Sequence, residues 1–128
     1  VIKSLLNLSF TRDIDPRPIV VNGMANLSSS FRLCPRLLEE GAIQTLEAYV
    51  PRVTKPEILT TIANVLYNLS TNRPVRSDMV VKGAVRVCSK IVKMPGVTDE
   101  CYFLTAKALG NMSLDRSSRN RMLGDGCV

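Results

Sequence analysis

The side chains that recur at fixed spacing in this chain are amides. Asparagine stands at positions 26, 68 and 111, which are 42 and 43 residues apart. One helical turn earlier on the same face stand Asn22, Asn64 and Lys107. A carboxamide offers a donor and an acceptor together, so a row of them is hydrogen-bonding chemistry. Near a helix end such an Asn also bonds its own or an adjacent backbone and ties neighbouring units together. Catalysis has no comparable support. The chain holds no His. It shows no nucleophile elbow, no phosphate-cradling glycine loop and no paired carboxylates. It reads as a non-enzyme without a cofactor. Cys34, Cys88, Cys101 and Cys127 are scattered and form no CxxC pair, so no metal site is expected. They read as free, mostly buried thiols of a reducing cytoplasm.

Charge is the second chemical resource. The net charge is +6, unevenly spread: residues 1–70 hold 7 Lys/Arg against 6 Asp/Glu, and residues 71–128 hold 10 against 5. Either the C-terminal half carries a solvated basic face or it meets an acidic partner. Arg86, Lys90 and Lys93 follow the i, i+4, i+7 spacing of one exposed helix face. Nucleic acid is a weak expectation, because aromatics are 5% and none interleave with basic residues as stacking platforms do.

The elements that must position these groups follow from the wider pattern. Apolar residues make up 45% of 128, enough for a packed core, and mean hydropathy is +0.10. No apolar run approaches the roughly 20 residues of a membrane span. There is no initiator Met and no signal-peptide pattern, and the expectation is an internal excerpt of a longer protein.

A period of 42–43 residues organises the chain. The words "ANLS", "YNLS" and "GNMS" end at Ser28, Ser70 and Ser113, and "EGAI", "KGAV" and "DGCV" place glycines at 41, 83 and 126 in the same phase. Asp15–Ser28, Glu57–Ser70 and Glu100–Ser113 align as long helices with apolar columns Val21/Ala63/Ala106 and Met24/Leu66/Leu109. Their openings, Asp15-Pro16, Pro56-Glu57 and Asp99-Glu100, suit a helix start. A middle helix follows each glycine, with Ile43, Leu46 and Tyr49 aligned on Val85, Cys88 and Ile91. The same columns hold Ile2, Leu5 and Leu8, so a further "NLS" at Asn7–Ser9 is the end of a middle helix. A short helix precedes each glycine, over roughly Cys34–Glu40, Val75–Lys82 and Ser117–Leu123. Glycine stops it by a left-handed turn. Pro51 and Pro95-Gly96 break the chain before each long helix.

Three helices per 42–43 residues, with "GAI" opening the middle one and "NLS" closing the long one, resemble the armadillo repeat over essentially the whole chain. The resemblance implies an all-α fold, a right-handed solenoid of stacked three-helix repeats open at both ends. Repeat units span roughly 1–40, 41–82 and 83–125, and 126–128 start the next. It implies a protein–protein interaction scaffold that takes an extended partner segment in a concave groove. The groove residues carried over are Asn22, Asn26, Asn64, Asn68, Lys107 and Asn111. The outer basic face is Arg86, Lys90 and Lys93. The family's importin-alpha branch places Trp at the 22/64/107 positions, and this chain has no Trp. A catenin-like basic groove for acidic or neutral segments fits better, with Arg73, Arg76 and Arg116 as further contacts, Arg73 and Arg76 reading equally as plain loop charges. The alternative is a structural solenoid in a cytoskeletal or axonemal assembly that docks on an acidic partner such as tubulin through the outer face. The expected location is the cytoplasm, with association to the cytoskeleton or presence in the nucleus both open.

Overall fold

The computed structural model describes residues 16–114, together with Arg119 and Leu123. The expectations placed on Ile2–Ser9, Asp15, Arg116, Ser117–Leu123 as a helix, Gly126 and Cys127 lie outside those residues. The described residues form seven α-helices and no strand: α1 (Arg17–Ser28), α2 (Cys34–Glu39), α3 (Ala42–Tyr49), α4 (Pro56–Thr71), α5 (Arg76–Val81), α6 (Ala84–Val92) and α7 (Asp99–Met112). Short 3-10 turns span Val50–Arg52 and Arg73–Val75. The fold is all-α.

Local chemistry sets the boundaries. Pro56 occupies the first turn of α4, where its missing N–H costs nothing, and Pro18 does the same in α1. At α7 the cap is Thr98, one residue earlier than the acidic pair suggests. Its hydroxyl accepts from the Cys101 N–H at 3.1 Å, while Asp99 and Glu100 fill the first turn. Gly41 and Gly83 have φ of 95° and 101°, the left-handed turns expected between the short and middle helices. At Gly83 an added Cβ would also run into the Arg86 side chain.

Packing joins elements of the same kind. The long helices α1 and α4 lie against each other, as do α4 and α7, and the middle helix α3 packs on α6. The central helix α4 buries Leu59, Ile62, Ala63, Val65, Leu66 and Leu69. On α3 and α6 the buried positions include Ile43, Leu46, Tyr49, Val85, Cys88 and Ile91, the columns read from the sequence. One column breaks. Val21 and Ala63 are buried, but Ala106 is exposed and Leu109 only partly covered. The reason is position: α4 lies against both α1 and α7, while among the described residues no further long helix covers α7.

Candidate functional site

The amide row lies on consecutive long helices. Asn22 and Asn26 on α1 are exposed, and Asn64 and Asn68 on α4 and Asn111 on α7 are half-buried. Their spacing puts each i, i+4 pair on one helix face. Two amides are fixed from behind. The Asn68 Nδ2 donates to the Ser28 Oγ of α1 at 3.1 Å, and the Asn111 Nδ2 donates to the Ser70 Oγ of α4, also at 3.1 Å. Each serine is buried and donates in turn to the carbonyl three residues back, Ser28 to Ala25 at 3.0 Å and Ser70 to Tyr67 at 2.7 Å. The hydroxyl's one proton and one of its lone pairs are thereby used. The amide spends one N–H, and keeps its second N–H and its carbonyl oxygen. Asn26 has no earlier long helix among the described residues to bond, which is why it is exposed.

The serine is what reasoning from sequence missed. The recurring word was Asn-Leu-Ser, and its last letter anchors the Asn of the next long helix. The phase was the available signal, since Ser28, Ser70 and Ser113 share the asparagine spacing.

Lys107 is exposed on α7, four residues before Asn111. Its ammonium stands 5.0 Å from the Phe103 ring centroid and 5.5 Å from that of Tyr67 on α4. This is cation–π geometry. Neither ring stood out in the sequence, because 103 and 67 fall at no shared position of the period.

Charge along the long helices is polarised. None of the three carries a carboxylate beyond its first turn: α1 has none, α4 has Glu57, and α7 has Asp99 and Glu100. Arginines stand past the C-terminal ends of α4 and α7. Arg76 Nε donates to the Ser70 carbonyl at 2.7 Å and Arg119 Nε to the Ser113 carbonyl at 2.7 Å, each satisfying a helix-end acceptor. In the equivalent place before them Cys34 Sγ reaches the Ser28 carbonyl at 3.4 Å. Burial pushes the Cys34 and Cys101 thiols above their ordinary values, partly offset by hydrogen bonds with Asn72 and Thr105. Both are inert at neutral pH. Arg73 is exposed at the start of its 3-10 turn.

Arg86, Lys90 and Lys93 are all exposed on or just after α6. Two of them are not free charges. Lys90 Nζ lies 3.0 Å and Arg86 Nε 3.5 Å from the Glu47 carboxylate of α3. Partial burial raises the Glu47 carboxyl, but the two cations outweigh this and hold it below its ordinary value. Arg86, Lys90 and Glu47 thus bring two cations and one carboxylate together, for a net +1. Lys93 stands outside this ion-pair cluster.

Among the described residues no three His, Cys, Asp or Glu side chains converge as a metal site would require. No described helix is long and apolar enough to cross a membrane. No family model, curated protein or solved structure matches the chain.

Proposed function

We propose that the chain is a protein–protein interaction scaffold, part of an armadillo-type right-handed solenoid that binds an extended acidic or neutral segment of a partner along its long helices. The observation that carries this reading is the pair of relayed amides. Asn68 and Asn111 are held in the same pose, one long helix apart, by serines of the helix before. Packed helices lie about 8–10 Å apart, and an extended chain advances roughly 3.3 Å per residue. One anchored amide therefore meets a bound segment about every third residue. The free N–H and carbonyl of each amide match the two hydrogen-bonding groups of a peptide unit. The resemblance in the Gly and Asn words supports the solenoid, as does like helix packing on like across each step of the period. The absence of carboxylates past the first turns, with Lys107, Arg73 and Arg76 nearby, favours acidic over basic segments. A reducing cytoplasm suits the buried free thiols.

Binding of short fluorescein-labelled Gly/Ser peptides with Asp, Asn or Lys at every third position, read by anisotropy, tests this. The Asp series binds best and the Lys series worst. A chain that binds none of them is not a peptide scaffold of this kind. The exposure of Arg86, Lys90 and Lys93 favours a second reading, docking of the outer face on an acidic assembly such as a tubulin surface. Glu47 weakens it by removing one of those charges. Binding of an acidic surface that falls with Arg86→Ala and Lys93→Ala but ignores Asn68→Ala would replace the first reading with the second.

A further inference from the structure

Lys107 does something besides adding charge to the stripe that the amide row forms across the long helices. Phe103 on α7 is 61% exposed, and Tyr67 on the neighbouring α4 is half-buried. The Lys107 ammonium stands over both rings, 5.0 and 5.5 Å from their centroids. Two aromatic faces from adjacent helices are a ready slot for a cation, because their quadrupoles attract it electrostatically. Here the chain's own lysine fills the place that a partner's Lys or Arg would take. The slot lies beside the anchored amides: Asn68 follows Tyr67, and Asn111 lies one turn beyond Lys107.

We propose that Lys107 plugs an aromatic slot between Tyr67 and Phe103, and so sets this stretch of the stripe to accept a carboxylate side chain and to reject a cationic one. The inference rests on the stripe being a peptide site. The plug acts twice on a basic segment. It occupies the rings, and it presents a like charge to whatever approaches. For an acidic segment the lysine is an ordered partner, because the two rings restrict a side chain that is otherwise free to sample many rotamers.

The charge and the plug are separable. Lys107→Leu removes the ammonium but leaves an aliphatic side chain over the rings. Lys107→Ala removes both and opens the slot. All three residues are at least partly exposed, so circular dichroism is expected to stay unchanged in both variants. With the same peptide series, both variants lose up to about fivefold in affinity for the Asp peptide, the scale of an exposed ion pair. Both variants gain a little affinity for the Lys peptide by losing the like charge, and Lys107→Ala gains up to about fivefold more, the scale of an exposed cation–π contact. Adding Phe103→Ala to Lys107→Ala abolishes that additional gain. Equal behaviour of the Ala and Leu variants toward the Lys peptide overturns the plug and leaves the peptide site standing. Unchanged Asp-peptide affinity in both variants overturns the carboxylate contact. Failure of the unaltered chain to bind any peptide overturns the scaffold reading and the plug together.

Discussion

Two faces of the molecule bind equivalent helices to each other by opposite means. Between the long helices the link is neutral: an Asn amide on a buried Ser hydroxyl, at 3.1 Å in both instances. Between the middle helices α3 and α6 it is ionic and exposed: Lys90 and Arg86 on Glu47. The neutral link fixes the pose of a polar group without spending its remaining donors and acceptors. It stays insensitive to pH and salt, because neither an amide nor a hydroxyl ionises in the working range. The ionic link consumes the charges it uses. It adds little stability, because exposed ion pairs are worth about 0–1 kcal/mol.

The comparison can be broken most severely from beneath. Leu66 and Leu46 are fully buried under the two faces. Leu66→Ala and Leu46→Ala should each cost about 2–5 kcal/mol in denaturant unfolding, which shows that the apolar layer, and neither polar link, supplies most of the stability. Next comes the backbone. Gly83→Ala forces a Cβ into a left-handed turn at φ 101° and against Arg86, and should cost about 1–3 kcal/mol. Gly41→Ala meets only the Gln44 Oε1 at an ordinary contact distance of 3.8 Å, at φ 95°, and should cost less. If the two cost the same, the crowding at Arg86 is irrelevant.

The neutral link ranks third. Asn68→Ala removes one hydrogen bond but leaves Ser28 bonded to the Ala25 carbonyl, so no buried hydroxyl is orphaned. The expected loss is about 0.5–1.5 kcal/mol, equal at pH 4 and pH 7. The smallest effect belongs to Glu47→Gln, below about 1 kcal/mol and reduced further by salt. Its pH dependence has a definite sign. Lys90 and Arg86 hold the folded-state carboxyl below its ordinary value, so the contribution is fully present above about pH 4.3. It is lost as the pH falls through the lowered folded value, where Glu47 takes up a proton in both states. Thermal unfolding at pH 7 and in acid should therefore separate the original from Glu47→Gln only at the higher pH.

Much of the helical framework was legible because one period governs it. Gly41 and Gly83 signalled their turns, and the Ile43/Val85 and Leu46/Cys88 columns signalled the buried face of the middle helices. Ala106 was misjudged, since a column gives burial only where a neighbouring helix supplies it. The asparagines were legible as a row. Their anchors Ser28 and Ser70 lie 40 and 41 residues away on another helix, and a hydrogen bond of that span leaves no local mark. Glu47 was hidden for the same reason. Arg86 and Lys90 read as a cationic stripe on their own helix, and the carboxylate that meets them comes from α3. The Tyr67 and Phe103 rings converge only because α4 and α7 pack side by side, a consequence of the core and not of either local sequence.

The most direct test of the proposed function compares the unaltered chain with the triple change Asn26→Ala, Asn68→Ala, Asn111→Ala in anisotropy titrations with the Asp-bearing peptide. Circular dichroism is recorded on both. The account predicts a folded variant in which peptide binding falls tenfold or more, from the loss of roughly three hydrogen bonds at about 0.5–1.5 kcal/mol each. A folded variant that binds the peptide as well as the original would contradict it, and would reduce the amide row to a strut between helices.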